Sequence, residues 1–484
     1  MLSRRQILIG MGATTALGFD TSARAWAASG ASATFRRLPA LDGVVLTDPT
    51  SLASYSTDAG SAIHETPVAV LLPGSVRDIE KAVEFCARHH IKVAARGQGH
   101  STFGQSLVDG GLVIDMGSLN RVHSITSAYA DVGAGLKWNE LVTQTAPLGL
   151  APPALTGYLG LSIGGTLSVG GISSSSRAGA QVDNVIELDV VTGGGRLVTC
   201  SNRENRDLFE MALAGLGQCG IITRAKVRLE PVLPQVRVYT IDYENSGAFF
   251  SDLRELLRRG ELDDFYNFGI PNAAGGWSYQ LTLAKKFAPS APPNDAFLLR
   301  GLSVPSSAAT VQDVPFLAFA LRVDQAIDFF RSVGLWDGVL HPWFDVFLPE
   351  HTVEPFVSSV VASLTPEDVG PTGFLLMFPQ RRSRLTRPLL RVPDSCEWVF
   401  LFDILTAAPS PGADAAFQER MLDRNRRLFE RARRLGGKRY PIGSVPFDTS
   451  DWVRHYGEVW PRLARLKRHF DPCGILTPGP GIFR

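Results

Sequence analysis

The chain has 484 residues, 45% of them hydrophobic and 20% charged. That length and apolar content suit a large buried core divided between two domains. With 48 Lys and Arg against 47 Asp and Glu, the formal net charge is +1, which excludes the strong charge bias of a nucleic-acid or acidic-membrane binder.

The chain opens on a targeting pattern. Ser3-Arg4-Arg5-Gln6-Ile7-Leu8 is a twin-arginine sequence, and an uncharged, moderately apolar stretch runs from Ile7 to Phe19. Small residues at Ala23, Ala25 and Ala27 offer cleavage sites. The expectation is a signal peptide over residues 1–27 and an exported, periplasmic or secreted protein. The apolar stretch is too short to span a bilayer. No later segment is long and apolar enough, so no membrane span is expected.

After a loop-like lead to about Thr66, Pro67 to Pro73 reads as a short apolar strand. Ser75 reads as a helix N-cap with Asp78 three residues on. Val76, Ile79, Val83 and Cys86 fall at near-helical spacing, and His89-His90 suits the helix C-terminus. Strands follow at Ile91–Ala95, Leu112–Met116 and Tyr129–Val132. Gly157 to Gly179 is too dense in Gly and Ser to predict regular structure. Strands resume at Val185–Thr192 and Arg196–Cys200 around a triple-Gly turn, then a helix at Asp207–Leu216 and a strand at Gly220–Leu229. Pro231 to Pro234 marks a boundary. Beyond it, Leu253–Arg259 and Phe417–Leu435 read as helices, and Phe374–Phe378 and Trp398–Leu405 as buried strands. A final helix over Trp452–Phe470 precedes a Pro/Gly-rich tail. The five cysteines show no CxxC spacing. They suggest neither a metal site nor a disulfide framework, and read as buried thiols.

Chemistry concentrates where a strand runs into Arg96-Gly97-Gln98-Gly99-His100-Ser101. Gly97 and Gly99 let backbone N–H groups approach an anion, and His100 offers a ring-nitrogen nucleophile. Taken alone, this turn reads more simply as a Gly-rich loop with a surface histidine. It is not a dinucleotide fingerprint, because no helix is expected after it.

The segment Arg96 to Ser101, with Gly104-Gln105, resembles the flavin-attachment loop of the vanillyl-alcohol oxidase / p-cresol methylhydroxylase (PCMH) superfamily, in the form seen in cytokinin dehydrogenases. Leu159 to Ile172 resembles that family's second flavin loop, and Val185 to Leu229 its second FAD-binding subdomain. His341-Pro342-Trp343 with Phe347-Leu348-Pro349 resembles a substrate-domain motif, and Phe470 to Phe483 the family's closing segment. The resemblance implies an α+β fold. A two-subdomain FAD-binding PCMH-type domain would span residues 40–233 and a substrate (cap) domain, an antiparallel sheet flanked by helices, residues 234–436. Residues 437–484 would return to the FAD domain.

The resemblance also implies FAD held covalently through His100. Ala95, Gly97, Gly99, Ser101 and Gln105 would contact it from the first loop, and Ser162, Ser168 and Ile172 from the second. Ile222, Tyr440 and Thr477 would complete the site. No metal is expected.

Two positions depart from the family pattern. Where cytokinin dehydrogenases carry an Asp that takes a proton from the substrate amine, this chain has Gly157, which cannot. Where a second acid is expected, Asp264-Phe265-Tyr266-Asn267 presents Asn267, which can hydrogen-bond a substrate but carries no charge. Tyr440, Asp345 and His341 are the candidate replacements, with Tyr440 the best placed by the resemblance. For Asp345 and His341 the plainer readings are a surface or capping carboxylate and a core histidine bonded to backbone. The expected activity is oxidation of a C–H bond next to nitrogen in a small amine, with dioxygen or another acceptor reoxidising the flavin. Alternatives are an alcohol, sugar or lactone oxidase on the same scaffold, and a flavin-binding protein without catalysis.

Overall fold

The computed structural model describes residues 39–272 and 276–483, and the backbone of Ala16–Asp20, Ala25–Ala28 and Arg36–Arg37. The twin-arginine segment and Ala23 lie outside the described residues. Among the described residues no helix is long and apolar enough to cross a membrane.

Alternating apolar strands and an amphipathic helix build the first sheet. Its strand order is Val44–Leu46, Ala69–Leu72, Leu112–Asp115, Val93–Arg96, and the last three run parallel. Parallel neighbours need a crossover, which helix Val76–His89 supplies, burying Ile79, Val83 and Cys86. Ser75 holds the N-cap position, but its hydroxyl donates to Asp42 instead of the helix. The buried Asp78 carboxylate accepts from the backbone N–H groups of Asp42, Gly43 and Gly74, tying the lead to the helix start. That lead also carries strand Val44–Leu46 and helix Pro49–Ser54, where a loop was expected.

A second, antiparallel sheet follows in the order Leu197–Ser201, Val185–Val191, Ile221–Arg228, Tyr129–Gly133, Val122–Ile125. The Gly-rich region is not all loop: Ile163–Val169 is a helix. Gly164 allows this, because a Cβ there would lie 2.8 Å from the Ala134 Cβ. The expected helix to Leu216 stops at Ala212. Ala214 and Leu216 adopt positive φ, and their N–H groups bond to Leu167 and Ser168 carbonyls. The chain unwinds there to tie itself to the Gly-rich helix.

From Gln235 onward the chain forms a large antiparallel sheet with nine strands among the described residues. Strand periodicity divides its residues between two faces. Phe344, Val346, Leu348, Leu375, Met377, Phe400 and Phe402 pack into a core with helices Ser246–Arg259, Glu350–Val361 and Ala415–Arg434. Asp345, Leu376, Phe378, Leu401 and Asp403 alternate with them and line a cavity on the other face. The expected last helix is broken into Thr449–Tyr456 and Trp460–Phe470 at Gly457, whose φ is 54°. Cys86, Cys200 and Cys219 are buried as expected, whereas Cys396 and Cys473 are half-exposed; all five are free thiols.

Candidate active site

The two smaller sheets and the large one enclose a cavity of about 580 Å³. Strand Val93–Arg96 delivers the first wall. Arg96 turns back beneath the loop, donating to the Thr57 carbonyl at 2.7 Å and lying over the Tyr55 ring. Gly99, at φ 61°, leaves room for that guanidinium, with which any Cβ would collide. A Cβ on Gly97 would likewise overlap Ser162 Oγ, so the two Gly-rich segments meet in direct contact. Asp58, which the sequence reading missed, fixes the turn. Its carboxylate accepts from Gly60 N at 3.0 Å and Gly104 N at 2.6 Å. Burial pushes its carboxyl up to about 7 against those bonds.

All twelve residues expected at the cofactor line this one cavity. Ala95, Gly97, Gly99, His100, Ser101 and Gln105 come from the first loop; Ser162, Ser168 and Ile172 from the second. Ile222, Tyr440 and Thr477 arrive from three further segments. Several also hold the frame. Gln105 donates to the Pro441 and Ile442 carbonyls, and Ser168 to the Gly164 carbonyl. The Thr477 hydroxyl donates to the Gly217 carbonyl and its N–H to the Val93 carbonyl. Tyr440 is deeply buried, and its phenol oxygen accepts from Gly171 N at 3.1 Å. Burial raises its pKa far above the ordinary value, which keeps it a hydrogen-bond donor and weakens it as a base.

His100 sits in an aromatic cage. Ring centroids of Tyr158, Trp343 and Trp336 lie 5.0, 5.5 and 6.0 Å from its own. Its remaining exposure is to the cavity, and desolvation drives its imidazole down to about 3, helped by His341 and Arg331. The ring is therefore neutral near pH 7 and keeps a free nitrogen lone pair. His341 closes the same cage. Its Nδ1 lies 2.9 Å from the Ala59 carbonyl oxygen, while Nε2 is buried without a partner among the described residues.

The sequence reading is corrected at Asn267. Strand alternation turns Tyr266 and Phe268 into the cavity and Asn267 away from it. Its amide donates to the Met377 carbonyl and accepts from Thr282 N. Gly157 does line the cavity, where a Cβ would meet only Val323 at 3.8 Å. Asp345 is fully buried, not a surface carboxylate, and stands in register with Asp403 on the neighbouring strand. Asp403 was overlooked, although one acid inside the apolar run Trp398–Leu405 was a visible signal. The wall opposite the sheet was also missed. It is helix Arg322–Ser332, which contributes Val323, Ala326, Ile327 and Phe330 and is fastened by Asp324 to Leu159 N and Asn139.

Residues 67–201 match the sequence model of the FAD binding domain. Residues 265–483 match that described as cytokinin dehydrogenase 1, FAD and cytokinin binding. Cytokinin dehydrogenase 4 of Oryza sativa subsp. japonica is 34% identical, over 88% of either chain. This chain belongs to the cytokinin dehydrogenase family. It is an FAD-dependent oxidoreductase. Another relative is an uncharacterized oxidoreductase, ORF5 in the fasciation locus of Rhodococcoides fascians. It is 39% identical over 91% of this chain and 99% of its own. In three dimensions the family fold is shared by 6-hydroxy-D-nicotine oxidase of Arthrobacter nicotinovorans. That structure has a TM-score of 0.71 at 20% identity, covering 90% of this chain and 96% of that one. The PCMH-type architecture, an FAD-binding domain with an antiparallel-sheet substrate domain, follows from these matches.

Proposed function

We propose that this member of the cytokinin dehydrogenase family oxidises a C–H bond next to nitrogen in a small amine, with FAD joined covalently to His100. The observation that carries the reading is the single cavity, which runs from the His100 turn to an apolar chamber against the large sheet. FAD, when bound, supplies a two-electron acceptor for hydride. The chain fits that group. Backbone of the two Gly-rich segments lines the cavity closely, and the buried Ser106 hydroxyl close by has no partner among the described residues. The neutral His100 ring offers the nucleophilic nitrogen that attachment requires. Val323, Ile327, Phe330, Phe268 and Phe374 would exclude water from a flat apolar donor, and Tyr440 would donate a hydrogen bond within the cavity. The rice relative, named a cytokinin dehydrogenase, supports an amine donor.

The second reading, oxidation of an alcohol, sugar or lactone, is favoured by one residue. Gly157 stands where the family acid would receive the amine proton. Anaerobic mixing with N6-isopentenyladenine, followed at the flavin absorption band, separates the two. The amine reading expects bleaching. A flavin that stays oxidised with the adenine yet bleaches with an alcohol or an aldose replaces it with the second. The twin-arginine segment adds export of the folded, loaded enzyme to the proposal; its confinement to the cytoplasm of its own host would remove that part.

A further inference from the structure

The large sheet turns two carboxyl groups into the cavity side by side. Asp345 on strand Phe344–Pro349 and Asp403 on strand Trp398–Leu405 are directly paired in register. They are 0% and 3% exposed, and both line the cavity. Gly443 makes the space, because a Cβ there would overlap Asp345 Oδ2. Apart from the hydrogen bond the two carboxyls make to each other, neither oxygen of Asp345, nor Oδ1 of Asp403, has a donor among the described residues. Buried carboxylates normally gather such donors. A separate side chain in the lining of the same cavity shares the condition: His341 Nε2, on a residue 2% exposed, also lacks a partner among the described residues. Both carboxyls line the cavity, and the described residues supply these polar atoms no donor from outside the pair.

We infer that Asp345 and Asp403 act as one unit, a carboxyl pair carrying a single proton, which accepts the proton of the donor N–H in place of the acid absent at Gly157. This rests on the proposed oxidation of an amine. The step balances. The donor C–H bond breaks and its electron pair leaves as hydride to FAD, the oxidant. The N–H bond breaks and its proton passes to the ionised oxygen of the pair. The freed N–H electron pair forms the C=N bond.

Two buried carboxyls cannot both ionise at this separation, so one proton is retained near neutral pH. Burial raises Asp345 to about 7, against the pull of Asp403 and Arg439, and it raises Asp403 further, with the Asp345 charge adding. The other groups around the pair set its titration. Arg439 is the buried cation beside it, Tyr440 follows on the same segment, and the register partner of Asp403 on the third strand is the uncharged Leu376. With Arg439 close, the pair is poised as a base near neutrality, where general-base efficiency is greatest.

The test uses the flavin-loaded enzyme and N6-isopentenyladenine. Asp403→Asn and Asp345→Asn should each slow anaerobic flavin reduction by about 100-fold or more, and should abolish the acid limb of the rate profile. The adenine-induced difference spectrum of the oxidised flavin should persist. Both variants reducing within about threefold of the parent enzyme would overturn the assignment, since groups that merely pack cannot be distinguished by so small a change. A readout free of turnover is the infrared C=O band of a protonated carboxyl near pH 7. The component belonging to the pair, beside that of buried Asp58, should be present in the parent and shifted or diminished in Asp403→Asn. If the adenine fails to bleach the parent flavin, the amine reading falls. The shared proton then stands or falls on that band, and its absence from the parent refutes the pair.

Discussion

His100, Asp345 and Asp403 share one cavity, and in each the protonation state is governed first by burial. His100 is held neutral well below pH 7. His100→Ala therefore removes the proposed attachment nitrogen without deleting a charge. Acid precipitation should leave the parent pellet yellow and the variant pellet colourless, with flavin in the supernatant; flavin retained in the variant pellet would move the attachment elsewhere. For Asp403 the linkage runs in a definite direction. Its folded pKa is raised, so the folded chain holds a proton that the unfolded chain releases above about pH 4. The stability this contributes is present at acid pH and lost as pH rises through the folded value. Asp403→Asn cannot ionise and escapes that loss. Its melting temperature should gain on the parent as pH rises above about 4. A gap that narrows over that range would contradict the raised pKa.

At the scale of elements, periodicity was legible and Gly-rich stretches were not. Helix Val76–His89 and strand Trp398–Leu405 match their sequence readings because each buries one regular stripe or run. The helix Ile163–Val169 was hidden, since two adjacent glycines argue against a helix in isolation. Tertiary contact reverses that preference. Gly164 N and Ile163 N bond to the Ala134 and Leu136 carbonyls, and Leu167 is fully buried. Gly164→Val would press two methyl groups into Ala134, where overpacking costs about 1–3 kcal/mol. We expect a melting temperature lower by several degrees and less flavin incorporated per chain. An unchanged melting temperature would show that the helix seat yields. The helix beginning at Arg206 was read too long for the complementary reason. Its apolar pattern continues to Leu216, but the backbone leaves the helix to bond the Gly-rich segment.

Across the whole molecule, the chain end is a working part of the flavin domain. Ile475 and Thr477 bond to Val93, in the strand that leads into the His100 turn. Buried Asp471 fixes this return, accepting from Ile475 N and Leu476 N and pairing with Lys467 at 2.7 Å. Asp471→Ala strands a buried lysine and two N–H groups, at a cost of about 3–5 kcal/mol. The melting temperature and the flavin content should fall together; a full flavin complement at a lowered melting temperature would uncouple the tail from the site. The sequence by itself determined the strand and helix periods and the family-like loops around His100 and Ile172. It also showed that position 157 is Gly, because those are properties of local order and residue identity. Only the tertiary structure decided that Asp403 stands beside Asp345, that Asn267 faces away from the cavity, and that Arg322–Ser332 forms the opposing wall. Strand register and the packing of distant segments set those relations, and neither is written in any short stretch of chain.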